Sequence, residues 1–289
     1  MKDADILTPG EASAGTTEQV RRVSSTWLRL REATDAAARS ADLVALVGRL
    51  VAGIPRLVIH DLGCGSGSMG RWLAPLLPGR QHWIVYDHDA DLLEQAAAEM
   101  VDRAADGAPV TVETRHRDIT RLTADDLDGA GLVTAAALLD LLTVEEVERV
   151  AAASVSLGCP ALLTLSVVGR VALTPSDPLD APITAAFNAH QRRTTEGRRL
   201  LGPDAADAMV DAFIRRGAAS VVRPSPWVLG AHNAELLSEW FVGWVAAACD
   251  QQPKLAGRAI GYTRRRLAEI AEGRLGAVVC HVDLVAHRE

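Results

Sequence analysis

The chain has 289 residues, of which 48% are hydrophobic and 23% are charged, and its formal net charge is −7 at pH 7. These values are ordinary for a globular protein with a substantial core, and the length fits one large domain or one domain with additions. The acidic balance would repel phosphate backbones, so we expect no nucleic-acid partner. No apolar run reaches the roughly 18 residues that cross a bilayer, so we also expect no membrane partner.

The termini and the cysteines bear on location and on metal binding. Residues 1–17 lack the charged and apolar segments of a secretory signal, and we predict a flexible tail. The four cysteines are scattered without a C-x-x-C pair, which favours the cytoplasm and argues against zinc. The stretch "DHDAD" resembles the start of a calcium loop, but Leu92 and Ala98 stand where Gly and Glu are required. We therefore expect no metal.

Residues 18–53 are predicted to form an N-terminal helical cap. Apolar residues recur there at intervals of three and four, which is typical of helices. Arg31, Asp35 and Arg39 follow one another at intervals of four, and pairing along the helix is the default explanation. A helix that closes over a cofactor is the second role considered for this segment.

From residue 54 onward, strands alternate with helices. The stretches "RLVIHDLG", "HWIVYD", "VTVETRHRD", "GLVTAAALL" and "CPALLTLSVV" are predicted strands, and "AASVVRP" and "GAVVCHVDLVAH" are the last two. This order predicts an α/β fold of the Rossmann-like type, with seven strands in a mainly parallel sheet and helices on both faces. Within residues 54–289 we predict insertions near 169–203 and 224–276 that serve as helical lids or substrate walls.

A glycine-rich loop after the first strand contains two overlapping patterns. Gly65, Gly67 and Gly70 form G-x-G-x-x-G, the dinucleotide pattern. Asp61, Gly63, Gly65 and Gly67 form D-x-G-x-G-x-G. The Asp61 carboxylate would repel a pyrophosphate and suits the cationic methionine end of S-adenosylmethionine, while the glycines let the backbone approach the ligand. We therefore predict S-adenosylmethionine as the cofactor.

Further cofactor contacts are predicted at the ends of the next two strands. Asp87 ends the second strand and can accept both ribose hydroxyls, a role that fits either ligand. Asp118 can take the adenine amino group, with Ile119 packed on the ring. Cys64 and His88 complete the predicted cofactor set. Cys64 is interpreted as a space-filler rather than a nucleophile, because methyl transfer from a sulfonium needs no covalent enzyme intermediate.

The stretches "VIHDLGCGSGSM", "VYDHDADLLEQA", "RDIT" and "LVTAAALLDLL" resemble successive motifs of the class I S-adenosylmethionine-dependent methyltransferases. The resemblance covers roughly residues 57–167, extends to uncharacterised bacterial members, and implies methyl transfer to an acceptor. No [DN]-P-P-[FY] tetrad follows the fourth strand, which weakens the case for methylation of nucleobases or glutamine and favours a small-molecule acceptor. Two alternatives stay open: an NAD(P)-dependent oxidoreductase, and a non-catalytic binding protein of the same fold.

The acceptor is expected to meet segments after the fourth and fifth strands. Asp140 and His190 are the catalytic candidates, because either can take a proton from a hydroxyl; the alternatives are that Asp140 caps the helix starting near Thr143 and that His190 lies on the surface. Arg192 and Arg193 belong to a cluster with Arg198 and Arg199 that fits either a solvated face or an anionic acceptor. His281 and Asp283 share one face of the last strand, in the core or in a pocket, and His281 is the third predicted substrate contact. The oligomeric state has no signal.

Overall fold

The computed structural model describes residues 24–288. The predicted tail and the first residues of the predicted N-terminal cap therefore lie outside the described residues. The helices are α1 Ser25–Ala38, α2 Ala41–Leu50, α3 Ser68–Leu73, α4 Ala90–Ala98, α5 Val144–Leu157, α6 Asp180–Gln191, α7 Ala205–Ile214, α8 Ala234–Gln251 and α9 Ala256–Ala271. The strands are β1 Arg56–Leu62, β2 Arg80–Asp87, β3 Val110–His116, β4 Leu132–Ala136, β5 Ala161–Thr174, β6 Thr194–Thr195, β7 Arg198–Arg199, β8 Ala219–Pro224, β9 Trp227–Leu229 and β10 Gly276–His287.

The central sheet confirms the predicted α/β architecture and corrects its strand count. Seven strands follow the order β3-β2-β1-β4-β5-β10-β8, and an eighth, β9, pairs with β10. The strands from β1 to β5 are parallel, whereas β10 is antiparallel to β5, β8 and β9. The count of seven was wrong because β9 has three residues, too few for an alternating pattern to show in the sequence.

Helices cover both faces of the sheet, as predicted. On one face, α2, α3 and α4 contribute Leu43, Met69 and Leu93 to a buried cluster with Ile59 of β1. On the other face, α5 and α7 contribute a separate cluster that contains Leu62 of the same strand. Because strand side chains alternate between faces, Asp61 shares the face of Ile59 and lies above the α2–α4 layer's core.

A third buried cluster lies beyond the sheet and joins the two predicted insertions. The outer parts of β5 and β10 extend past their neighbours, and α6, α8, α9 and β9 pack against them. We call these four elements the insertion layer. The strand β5 runs on to Thr174, within the segment near 169–203 that was predicted as an insertion. β4 pairs with its first four residues, whereas β10 pairs with it along its length.

The junction between α1 and α2 is tied to the sheet by one carboxylate. Asp283 of β10 accepts hydrogen bonds from the backbone N–H of Ser40 at 2.8 Å and from that of Leu165 at 2.8 Å. Leu165 has a φ of +57°, so this bond holds an unfavourable backbone conformation within β5. Asp283 is buried and both of its oxygens accept backbone hydrogen bonds. This residue, considered above for either the core or a pocket, therefore has a structural role.

Helix α1 bridges the glycine loop and the insertion layer. Its Trp27 and Leu30 pack against the third cluster, and the Trp27 ring centroid lies 6.3 Å from that of Trp227 in β9. Leu28 faces the loop: a Cβ on Gly65 would lie 3.1 Å from Leu28 Cδ1. Within residues 24–288, no helix has the length and apolar character needed to cross a membrane.

Candidate functional site

The glycine loop joins β1 to α3 through left-handed backbone positions. The φ angles of Gly63, Gly65 and Gly67 are +62°, +54° and +85°. Such angles are costly for residues that carry a side chain. Gly67 also lacks space, because a Cβ there would lie 3.0 Å from Ala96 Cβ in α4. The three glycines of the predicted pattern are thus required by the shape of the loop.

Asp61, at the end of β1, presents an unpaired carboxylate oxygen to this site. Its Oδ1 accepts a hydrogen bond from Thr134 Oγ1 of β4 at 2.7 Å. Its Oδ2 is buried and accepts none from the described residues. Burial raises the pKa of Asp61 to about 7, although the Thr134 hydroxyl and the Arg39 charge oppose the shift. A buried carboxylate oxygen without a donor fits the amino group of S-adenosylmethionine.

Asp87, at the end of β2, supports the loop from the neighbouring strand. Its Oδ2 accepts the Gly65 N–H at 2.8 Å, and its Oδ1 accepts the Asp89 N–H at 3.0 Å. His88 Nδ1 lies 3.3 Å from the same Oδ1, and the His88 side chain is otherwise exposed. Asp87 therefore fixes the loop in addition to standing where a ribose contact is predicted.

The remaining predicted cofactor residues differ in burial. Asp118 is exposed, and its Oδ1 accepts hydrogen bonds from the N–H and the hydroxyl of Thr120 at 2.9 and 2.7 Å. Ile119 is half-buried against the core. Cys64 is buried, and burial, with the charges of Asp61 and Asp87, raises the pKa of its thiol well above the ordinary value. A thiol that resists ionisation is a poor nucleophile, which agrees with the interpretation as a space-filler.

Asp140 follows β4 at the same edge of the sheet as Asp61. The turn out of β4 brings Leu138 against the loop, so that a Cβ on Gly63 would lie 2.9 Å from Leu138 Cδ1. Burial raises the pKa of Asp140 to about 6, while the charges of Arg31 and Arg193 oppose the shift. Asp140 does not cap α5, because Thr143 does so: its hydroxyl accepts the Glu146 N–H, and Glu146 accepts the Thr143 N–H. The capping explanation for Asp140 was therefore wrong.

The predicted arginine cluster separates into different roles. Arg192 makes a two-bonded ion pair with Asp204, at 2.6 Å for each bond. Arg198 is bound by Glu146 at 2.9 and 2.6 Å. Arg193 donates to the His190 carbonyl at 3.1 Å and acts electrostatically on Asp140. Of the four arginines, Arg193 is the one whose charge acts on Asp140. It also contacts the end of α6, where His190 is half-buried.

Two surface cavities adjoin this arginine cluster, with volumes of about 390 and 610 Å³. Arg192 lines both of them, and Arg198 and Arg199 line the larger. Neither cavity is lined by the glycine loop, Asp87 or Asp140. Since Arg192 and Arg198 already have carboxylate partners, the solvated-face interpretation suits them better than a role in binding an anionic acceptor.

His281 lies in a buried aromatic and charged cluster at the base of the insertion layer. Its ring centroid is 5.3 Å from that of Trp227, and its Nδ1 has no hydrogen-bond partner within residues 24–288. Burial and the Arg31 charge lower the pKa of His281 to about 3, so the ring is neutral. Asp35 accepts from Trp227 Nε1 at 2.9 Å and pairs with Arg31 Nε at 2.8 Å, as the helical spacing predicted.

Two residues that matter for this site, Thr134 and Trp227, were not identified from the sequence. Thr134 is a polar residue within the apolar stretch "LVTAAALL", which is the signal that could have identified it. Trp227 had no such signal, because its contact with Asp35 spans 192 positions of the chain. Within the described part of the chain, no group of three or more histidine, cysteine, aspartate or glutamate side chains could hold a metal ion.

Comparison with known proteins adds a match over part of the chain. Residues 59–157 match the family model described as "Methyltransferase domain". No curated protein sequence matches the chain.

Among solved structures, the chain is similar to a cyclopropane synthase from Mycobacterium tuberculosis, with a TM-score of 0.49 and 12% identity over 92% of this chain and 95% of that chain. It is also similar to magnesium protoporphyrin IX methyltransferase from Synechocystis PCC 6803, with a TM-score of 0.42 and 17% identity over 70% and 86% of the two chains. A third similar structure is a methyltransferase from Geobacter sulfurreducens in complex with S-adenosylhomocysteine, with a TM-score of 0.39 and 15% identity over 90% and 98%.

The family match runs from β1 to the end of α5 and so contains the loop, Asp87, Asp118 and Asp140. The unpaired Asp61 oxygen and the sheet order agree with it. The match decides between the two ligands that the glycine patterns allowed, and the cofactor is S-adenosylmethionine. Residues 59–157 thus carry the features of a methyltransferase domain that uses S-adenosylmethionine.

Proposed function

We propose that the chain methylates a small molecule at a group that gives up a proton, of which a hydroxyl is the simplest case. The observation that carries the proposal is the position of Asp140: it follows β4 two residues after Leu138, whose side chain lies against the glycine loop, and its pKa is raised to about 6. A carboxylate with a pKa near neutrality can take a proton and release it again at physiological pH.

The surroundings of Asp140 support a small acceptor rather than a macromolecule. Helix α1 lies over the glycine loop, and the insertion layer packs against α1. Beneath them, Trp227 and His281 are buried and Arg31 is largely so. A macromolecular acceptor needs an open face, whereas these polar and aromatic groups are covered by helices. This arrangement resembles sites that enclose most of a small ligand's surface.

Asp61, Asp87 and Asp140 have different roles in the proposed methyl transfer. When bound, the cofactor supplies a methyl group on a positively charged sulfur. Asp61 would hold its amino group, and Asp87 would hold its ribose. An acceptor hydroxyl must lose its proton as its oxygen gains the methyl group, and Asp140 takes that proton. His190, at the end of α6, is the second candidate for this role. Alignment of acceptor and methyl group contributes the remainder of the rate enhancement.

The proposal includes an anionic acceptor and a cytoplasmic location, which have separate grounds. Arg193 carries the case for an anion, because in this structure its charge acts on Asp140 and its guanidinium contacts a carbonyl rather than a carboxylate. The location is supported by the cysteines, all four of which are free thiols, as in a reducing compartment.

The proposal is tested by measuring S-adenosylhomocysteine formation with S-adenosylmethionine and a panel of small phenols, alcohols, carboxylic acids and amines. The proposal predicts turnover with at least one acceptor that loses a proton, and its loss in Asp140→Asn without a change in S-adenosylhomocysteine affinity. An acceptor turned over equally well by Asp140→Asn and by the double variant with His190→Ala would contradict the role of proton removal. Methylation of a protein or an RNA alone would contradict the small acceptor.

A further inference from the structure

Arg39 is a buried arginine whose side chain has unused hydrogen-bond donors. It ends α1, and its side chain is 5% exposed. The guanidinium lies over the Trp72 ring, 4.9 Å from the centroid, and Nη2 donates to Ser68 Oγ at 3.4 Å. Its Nε and Nη1 have no partner among residues 24–288. Leaving a buried guanidinium in this state is costly, since each unpaired N–H loses its hydration without compensation.

The carboxylates near Arg39 act on its charge, but among residues 24–288 none of them accepts a hydrogen bond from Nε or Nη1. Asp35, Asp283 and Asp61 are close enough to act on the Arg39 charge. Asp35 is held by Arg31 and Trp227, and Asp283 by two backbone N–H groups. Burial lowers the pKa of Arg39, and these carboxylates only oppose the change. The charge is thus stabilised at a distance while two nitrogens stay free.

Arg39 and Asp61 together present complementary unpaired groups at one site. Asp61 has one buried oxygen that lacks a donor, and Arg39 has two buried nitrogens that lack an acceptor. Each acts electrostatically on the other, yet no hydrogen bond joins them. A ligand that carries an ammonium and a carboxylate on one carbon would satisfy both. The methionine end of S-adenosylmethionine is such a group, and its amino group can donate to the unpaired oxygen of Asp61.

We infer that Arg39 binds the carboxylate of the cofactor's methionine end, so that the junction of α1 and α2 completes the cofactor site. Two N–H groups of a guanidinium match the two oxygens of a carboxylate. Arg39 is therefore a cofactor-positioning residue outside the segment that matches the methyltransferase family model. In this account the helices before β1 belong to the cofactor site rather than to the acceptor site alone.

Binding measurements on the natural chain test whether a carboxylate site exists. Calorimetry would compare S-adenosylhomocysteine with its decarboxylated analogue, which keeps the amine, and with 5′-methylthioadenosine, which lacks both groups. A charge-assisted pair supports an expected loss of roughly 10- to 100-fold in affinity when the carboxylate alone is removed. Equal affinity for S-adenosylhomocysteine and its decarboxylated analogue would overturn the inference without any variant.

Variants then assign that site to Arg39. Arg39→Met should weaken S-adenosylhomocysteine binding by the same roughly 10- to 100-fold and leave the affinity for the decarboxylated analogue unchanged. Arg39→Lys keeps the charge but not the paired N–H groups, and should give an intermediate loss for S-adenosylhomocysteine only. Arg49→Met, an exposed position on α2, is the matched control and should bind all three ligands normally. Equal losses for all three ligands in both Arg39 variants would show a purely structural role and contradict the inference.

Discussion

Asp61 and Asp140 occupy the same edge of the sheet, and burial raises the pKa of both toward neutrality. Their partners differ, and so do the roles that we assign. Asp61 has one oxygen fixed by Thr134 and one free to receive a cation. The charges of Arg31 and Arg193 act on Asp140, which we propose to lie on the acceptor side. In our proposal, the same rise in pKa on burial serves cofactor binding at Asp61 and proton transfer at Asp140.

The raised pKa of Asp61 predicts that cofactor affinity depends on pH. A cationic amino group requires the ionised carboxylate, and below pH 7 the carboxyl group must first lose its proton. S-adenosylhomocysteine affinity should thus fall by up to about tenfold per pH unit below 7 and level off above it. Calorimetry between pH 5.5 and 8 measures this dependence. Asp61→Asn should bind at least about tenfold more weakly at pH 8 and lose the dependence; an unchanged pH profile in that variant would assign the titration to another group.

The pKa of Asp140 predicts the pH dependence of turnover. As the proton acceptor it must be ionised, so kcat should rise with pH through about 6 and become constant above it. Asp140→Asn should lower kcat by roughly 10²–10⁴ and remove this rise. His190→Ala should produce a similar loss only if His190 takes the proton instead. Steady-state kinetics of the two single variants against pH decide between them, and full activity in both would leave alignment alone as the mechanism.

The sequence identified the residues of the loop but not the residues that meet it from elsewhere. Asp61 and the three glycines are adjacent in the chain, so their spacing alone predicts a ligand. Thr134 is 73 positions from Asp61, and Arg39 is 22 positions before it, and no spacing rule relates them. Local patterns could not predict these contacts because they depend on how strands pair and on where α1 packs.

The packing of the loop between β1 and α3 against α4 implies that an added methyl group lowers the unfolding free energy. Gly67→Ala introduces a Cβ at a φ of +85° and at 3.0 Å from Ala96 Cβ of α4. Gly79→Ala is the matched control, because its φ is +90° and nothing lies within 4 Å. Both should lose about 1–2 kcal/mol of unfolding free energy from the backbone angle.

Only Gly67→Ala should lose more than this backbone cost and weaken S-adenosylhomocysteine binding, by roughly tenfold or more. Urea unfolding and calorimetry measure the two effects. Similar stability and similar affinity in the two variants would show that the contact with α4 does not shape the loop.

A buried arginine links two helices of the insertion layer, α6 and α9. Arg266 of α9 is 2% exposed and pairs with Asp180 at the start of α6 at 2.9 Å and with Glu269 at 2.8 Å. Its neighbour Arg265 is 58% exposed and pairs with Asp177 at 2.9 Å. Arg266→Met removes the positive partner of Asp180 and Glu269 and should cost about 3 kcal/mol or more of unfolding free energy. Arg265→Met should cost less than about 1 kcal/mol in the same urea titration, and equal costs would contradict the structural role of Arg266.

For the whole molecule, the sequence predicted the sheet well and the insertion layer poorly. The strands from β1 to β5 are apolar stretches separated by turns or helices, so their pattern is clear. The helices α8 and α9 lie within the segment 224–276, for which a helical insertion was predicted. Their packing against α6 and α1 was not, because it joins segments far apart in the chain into one buried cluster. The strand β9 and the length of β5 follow from that packing.

The ligand of the glycine loop determines which reaction the whole molecule can perform. A loop with three glycines in the left-handed conformation lies beside Asp61, a buried carboxylate with one unpaired oxygen, and this pairing suits the methionine end of S-adenosylmethionine. A dinucleotide would instead bring a pyrophosphate toward the Asp61 carboxylate, which repels it.

Isothermal titration calorimetry of the natural chain at pH 8, with S-adenosylhomocysteine, NAD and NADP in separate titrations, tests this most directly. We predict one site for S-adenosylhomocysteine with a Kd of about 1–10 μM, and no measurable heat of binding for NAD or NADP. Tight binding of NAD or NADP, or no binding of S-adenosylhomocysteine, would contradict it.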